Sequence, residues 1–133
     1  MYKHTLRIQD TQLATAQTLP RNTSAVGNAG PQSAGGLLGG AEVVMVAASA
    51  VTIADAKSVS LGLEDSADGI SFAAVPITCK RTVSGGARTW KTGEVLARLP
   101  VPSDCRELLR AVLSTDDAAA AGTVDVIFDY LPR

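Results

Sequence analysis

The chain has 133 residues, 46% of them apolar and only 4% aromatic, with a formal net charge of -1. That length suits one domain burying roughly two thirds of its unfolded surface, and scattered, nearly balanced charge is not the basic footprint of a nucleic-acid binder. No apolar run approaches the roughly twenty residues that span a bilayer, and no basic stretch leading into an apolar run opens the chain, so neither a membrane span nor a secretory signal is expected.

The aromatic complement is Tyr2, Phe72, Trp90, Phe128 and Tyr130. Val, Leu, Ile and Ala must therefore fill the core, which favours two thin sheets packed face to face. Tyr2 to Ile8 alternates apolar and polar side chains and predicts a short first strand. From Gln9 to Gly40 the sequence turns to Thr, Ala, Gln, Asn, Ser and Gly, interrupted by Pro20 and Pro31 and closed by Gly35-Gly36 and Gly39-Gly40. Few side chains there bury a face, so the expectation is an extended arm over residues 1–40 that orders when a partner supplies burial, with a glycine hinge at its base.

A sandwich domain is expected over residues 41–133. Glu42 to Ala48 is a β-branched apolar run and Val51-Thr52-Ile53 follows it, both strand material. Ser58 to Ser66 alternates cleanly, with Val59, Leu61 and Leu63 on a core face and Ser58, Ser60, Gly62 and Glu64 on a wet one. Asp65-Ser66-Ala67-Asp68-Gly69 is turn chemistry, and Ile70 to Lys80 resumes the extended pattern, with Pro76 marking an edge strand of a hairpin. Lys80-Arg81, Arg88 and Lys91 surround Ser84-Gly85-Gly86 and read as a solvated hairpin face. Arg88-Thr89-Trp90 and Glu94 to Leu99 are further strands, the second stopped by Pro100 and Pro102.

Ser103 to Arg106 reads as a corner. Glu107 to Thr115 suits helix or strand by composition, and its shortness after two prolines favours strand. Thr123 to Leu131 sets Val124, Val126 and Phe128 against Asp125, Ile127 and Asp129, and pairs as a hairpin with the strand before it. The whole reads as about seven or eight short strands without a βαβ rhythm, so the predicted fold is all-β, an antiparallel sandwich of jelly-roll type.

Chemistry is hard to find in these residues. Nucleophilic catalysis needs a base beside the nucleophile, and the one histidine, His4, lies near a terminus. Gly69-Ile70-Ser71-Phe72-Ala73 begins like a nucleophile elbow but lacks the last glycine and opens a strand. Gly35 to Gly40 lacks the Lys and Ser or Thr of a phosphate loop. Glu64, Asp65, Asp68, Asp116 and Asp117 do not meet a calcium-loop spacing and read as turn residues. Cys79 and Cys105 are too far apart for a CxxC motif, which leaves free thiols or, outside a reducing cell, a disulfide. No catalytic, cofactor or metal site is predicted, and the chain is not expected to be an enzyme.

The order of features resembles the jelly-roll capsid cement (decoration) proteins of tailed bacteriophages. The resemblance rests on Gln9-Asp10-Thr11-Gln12 with Ala14-Thr15-Ala16, a Gly-rich connection, and Glu42-Val43-Val44-Met45-Val46. It continues through Val59 to Gly69 with Phe72, Ala97-Arg98-Leu99-Pro100-Val101-Pro102 and Ala121 to Val126. It implies a virion protein, made in the host cytoplasm, that sits on the capsid exterior, clamps major capsid proteins and meets copies of itself at a symmetry axis, with no nucleic-acid or membrane partner. The longer stretch through Asn22, Asn28 and the repeated glycines departs from that pattern, and residues Thr11 to Leu38 are the expected contact with the shell or a sister subunit. A carbohydrate- or receptor-binding sandwich, presenting Trp90, Tyr2 or Tyr130, and a head-completion or tail protein are the alternatives.

Overall fold

The computed structural model describes residues 12–29, 31–33, 41–101 and 108–130. In chain order the strands are β1 (Ala14–Thr18), β2 (Thr23–Val26), β3 (Gln32–Ser33), β4 (Ala41–Ala47), β5 (Val51–Ile53) and β6 (Ser58–Ser66). They are followed by β7 (Ala73–Thr82), β8 (Arg88–Trp90), β9 (Val95–Pro100), β10 (Leu108–Thr115) and β11 (Thr123–Tyr130), and no helix is found among the described residues. The protein is all-β and every strand pair is antiparallel. One sheet runs β1-β11-β4-β9, and the second runs β2-β10-β6-β7 with β3 also pairing to β10. The chain crosses between these two sheets from β1 to β2, from β3 to β4 and at each step from β9 through β10 to β11, while β2–β3 and β6–β7 stay within the second sheet, an order compatible with a jelly roll.

Alternation decides which side chains enter the shared core. Val59, Leu61 and Leu63 of β6, Leu109, Ala111 and Leu113 of β10, and Val124, Val126 and Phe128 of β11 are buried in one cluster with Val43 and Met45 of β4. Each fully buried aliphatic side chain contributes about 1.5–3 kcal/mol. Ile127 faces the other way and is buried with Val44 and Val46 against Val95, so the outer face of the first sheet carries a second small apolar cluster. The short ribbon of β5 and β8 adds Val51, Ile53 and Trp90 to the main core. It is tied to the 116–122 connection, where Thr52 and Ala121 exchange backbone hydrogen bonds of 3.0 and 3.2 Å.

Most strand boundaries match the alternation, and Glu107 to Thr115 is strand over Leu108–Thr115. The hairpin of β6 and β7 forms, with β7 on the sheet edge. Gly62 pairs with Thr78 and Glu64 with Ala74, so one residue of β6 faces three of β7, Pro76 among them. A bulge at an edge is where a residue without an N–H does least harm.

Three expectations need correction. β10 and β11 are not a hairpin, because β10 pairs within the second sheet and β11 within the first; the 116–122 loop crosses between layers. Ser84-Gly85-Gly86 is not a hairpin turn either, since β8 leaves β7 to pair with β5. The described part of the 1–40 segment is extended but is no separate arm: β1 pairs with β11 and β2 with β10, and Leu13, Ala14 and Leu19 are buried in the core. The segment's amide side chains explain how so polar a stretch is held. Asn28 Oδ1 accepts from Thr15 N at 2.8 Å and its Nδ2 donates to Thr15 O, while Gln17 accepts from Asn28 N and donates to Val26 O. These bonds tie β1 of one sheet to the end of β2 in the other. The strand expected over 2–8, the hinge at 35–40, the corner at 103–106, and His4, Tyr2 and Cys105 lie outside the described residues.

Gly122 turns the chain into β11 with φ of 111°, and a Cβ there would stand 2.4 Å from Ala50 O and 2.7 Å from Val51 Cα. Both the conformation and the backbone contact forbid a side chain. Gly122→Ala is expected to lower stability by about 2 kcal/mol or more, read as a fall in urea midpoint at unchanged slope. An unaltered midpoint would contradict this close approach.

Candidate functional site

The loop joining β6 to β7 is held from inside by two side chains. Ser66, fully buried at the end of β6, accepts from the backbone N–H of Asp68 and Gly69 at 3.2 and 2.9 Å and donates its hydroxyl to Asp68 Oδ1. The same Oδ1 accepts from Ile70 N at 2.8 Å and Ser71 N at 3.0 Å. The backbone N–H groups of Ser71 and Ile70, then the Ser66 hydroxyl, stabilise the ionised carboxyl and lower its pKa from 3.8 to about 2.

This bracing presents Ile70 to solvent at 84% exposure. The loop is seated on the outer face of the second sheet. Phe72 lies under the Arg110 guanidinium, 3.9 Å from ring centroid to Cζ, and Arg110 donates to Glu64 Oε1 through Nε at 2.7 Å and NH2 at 2.6 Å. Gly69 rests near Leu108, whose Cδ1 would meet a Cβ at 3.3 Å.

Strand register extends the surface from there. Val26, Val112, Gly62 and Thr78 stand in one row across β2, β10, β6 and β7, and Ser24, Ser114, Ser60 and Lys80 in the next. A shallow depression of about 170 Å³ lies at the β7 bulge, bordered by Gly62, Ala74, Thr78 and Val112. Among the described residues, the exposed large hydrophobic side chains are Val26 and Ile70, and both belong to this face. A rigid apolar anchor beside a shallow, small-residue floor suits protein binding, because an anchor already fixed in place loses little freedom when it docks.

Other residues singled out from the sequence are spread through the fold. Asp116 accepts from Ser58 N at 2.6 Å, and that bond is the main reason its pKa is lowered. Asp117, almost fully buried, accepts from Ala54 N and Ala119 N, both at 2.8 Å. Asp117 thus serves a local turn amide at Ala119, as expected, but both acids also bond backbone far away in sequence, tying the 116–122 connection to the segment that leads into β6. Cys79 is a half-buried free thiol packed against the core. Trp90 is only 1% exposed, so it offers no open platform for a sugar, and Tyr130 stands at the end of β11. Lys80, Arg81, Arg88 and Lys91 are exposed, as expected of a solvated face. Among the described residues, no three of His, Cys, Asp and Glu gather as metal ligands.

Sequence reasoning missed Val26 and Ile70 as surface residues. Ile70 was read as the first residue of the extended run to Lys80, whereas that strand begins at Ala73 and Ile70 belongs to the turn before it. The chain matches no protein-family model and no curated protein.

The folded pKa of Asp68 lies below its ordinary value, so its bonds contribute fully above about pH 3.8 and are lost as pH falls toward about 2. Amide-exchange protection of Ile70 and Ser71 is expected to be high at pH 5 and to fall over that window. In Asp68→Ala both amides are expected to exchange freely at either pH; retained protection would show that the carboxylate does not hold the loop.

Proposed function

We propose that this protein is a non-catalytic structural protein that binds the outside of a viral capsid and reinforces contacts between major capsid proteins. The observation that carries the binding reading is the hydrogen-bonded loop that fixes Ile70 in solvent on the sheet face that also exposes Val26. The capsid as partner rests on the resemblance to phage cement proteins and on the strand order, which is compatible with their jelly roll.

Reinforcing a lattice needs burial across subunit joints and no reaction. Each copy binds through a small interface, and many copies on a repeating shell add up. In this reading Ile70 enters an apolar pocket on the shell, the flat serine and valine rows follow it down, and Lys80 and the Arg110–Glu64 pair form the polar rim. Copies of the protein meet one another at a symmetry axis of the shell.

The test is add-back to particles stripped of their surface proteins. The expected result is saturable, stoichiometric binding that raises the particles' resistance to heat, with Ile70→Ser weakening the affinity about tenfold or more, as loss of a central anchor does. Failure of the parent protein to bind any such particle removes the capsid reading. Binding undiminished in Ile70→Ser removes this face from it.

A further inference from the structure

A second feature lies away from that face, where the chain leaves β7 for β8. A cleft of about 150 Å³ is lined by Arg81, Thr82, Val83, Ser84, Arg88 and Trp90. Arg81 and Arg88 bring two guanidinium groups to it and Thr82 and Ser84 two hydroxyls, Trp90 forms part of its wall, and no carboxylate is among these described lining residues. Neither arginine is ion-paired with an acid among the described residues.

The Arg88 guanidinium is held over the Trp90 ring, 4.7 Å from its centroid. A cation in that position gains from the ring's negative face while its in-plane N–H donors stay available to an acceptor. Trp90 itself is almost fully buried, and its Nε1 is, among the described residues, the buried side-chain polar atom left without a hydrogen-bond partner. Native interiors rarely leave a buried donor unpaired, and such an orphan asks for an acceptor.

We propose that this cleft is an oxyanion site, in which a carboxylate or phosphate group is bound between Arg81 and Arg88. The chemistry selects the ligand. Guanidinium groups only donate, so the complement is a group that only accepts, carries negative charge and has two or more oxygens to share between two forks. Thr82 and Ser84 add hydroxyl donors at the rim. The anion comes either from an acidic side chain of a docked protein or from free phosphate, and the two sources are separable by experiment. This inference stands independently of the capsid reading, because it rests on different residues and needs no particle.

Trp90 is the chain's single tryptophan, so its fluorescence reports on the cleft directly. The intact protein is titrated with sodium phosphate and, separately, with a capped glutamate tripeptide and its glutamine counterpart, at ionic strength held constant with sodium chloride. A saturable change in emission with phosphate, with the glutamate peptide or with both is expected, and it names the source. Arg81→Gln, at an exposed position, is expected to weaken that binding about tenfold or more, with Arg81→Lys between the two. No saturable change with either anion, an equal response to the glutamine peptide, or unchanged binding in Arg81→Gln would overturn the site.

Discussion

Leu13, Ala14 and Leu19 reach the core because β1 is hydrogen-bonded to β11, and the two-layered interior depends on that pairing of the first described strand with the last. The constraint follows from side-chain size. A core made chiefly of Val, Leu, Ile and Ala, with Trp90 and Phe128 as its largest members, is thin, and neither sheet has a dry face without the other. β1 and β2 stand at the edges of the two sheets on the same side. Gln17 and Asn28 bond across the gap between them. Closure of that side is thus shared between three apolar side chains and a few amide bonds.

How much of this was legible depended on which signal a segment carried. The middle of β6 could be read from its alternation, with Val59, Leu61 and Leu63 in the core and Ser60, Gly62 and Glu64 opposite, whereas Ser58, expected on the wet face, is buried at the strand's start. β1 and β2 were hidden because edge strands bury so little: β1 buries only Ala14 of its five residues, and its pleat is broken by a bulge at which Ala16 takes a φ of 45° and donates to Asp125. Low apolar content there reflects position in the sheet, not lack of order. Partners of β10 and β11 were misassigned for a different reason. Seven residues of loop chemistry between two strands look like a hairpin whether they turn within a layer or cross to the next.

The outward features were less legible still, because each depends on contacts remote in sequence. Ile70 looks like strand material until Ser66 and Asp68 are seen to hold its backbone in a turn. Trp90 looks like an exposed aromatic in a basic connection until β8 is found paired with β5, which turns the ring inward beneath Arg88. The two features differ in kind: one is an apolar knob on a flat sheet, the other a donor-rich cleft at the end of β7. Both are held in place by the fold before any partner arrives, and preorganisation of that sort lowers the entropy lost on binding.

The most direct test of this account is the thermal unfolding of the isolated 41–133 fragment. It lacks β1, β2 and β3, and with them Leu13, Ala14 and Leu19. If the first strands are integral to both sheets, circular dichroism of the fragment shows no cooperative transition, and adding a peptide covering 12–33 in trans restores one. A fragment that unfolds in a sharp transition with a midpoint close to that of the full chain would contradict the account and return residues 1–40 to the status of an arm.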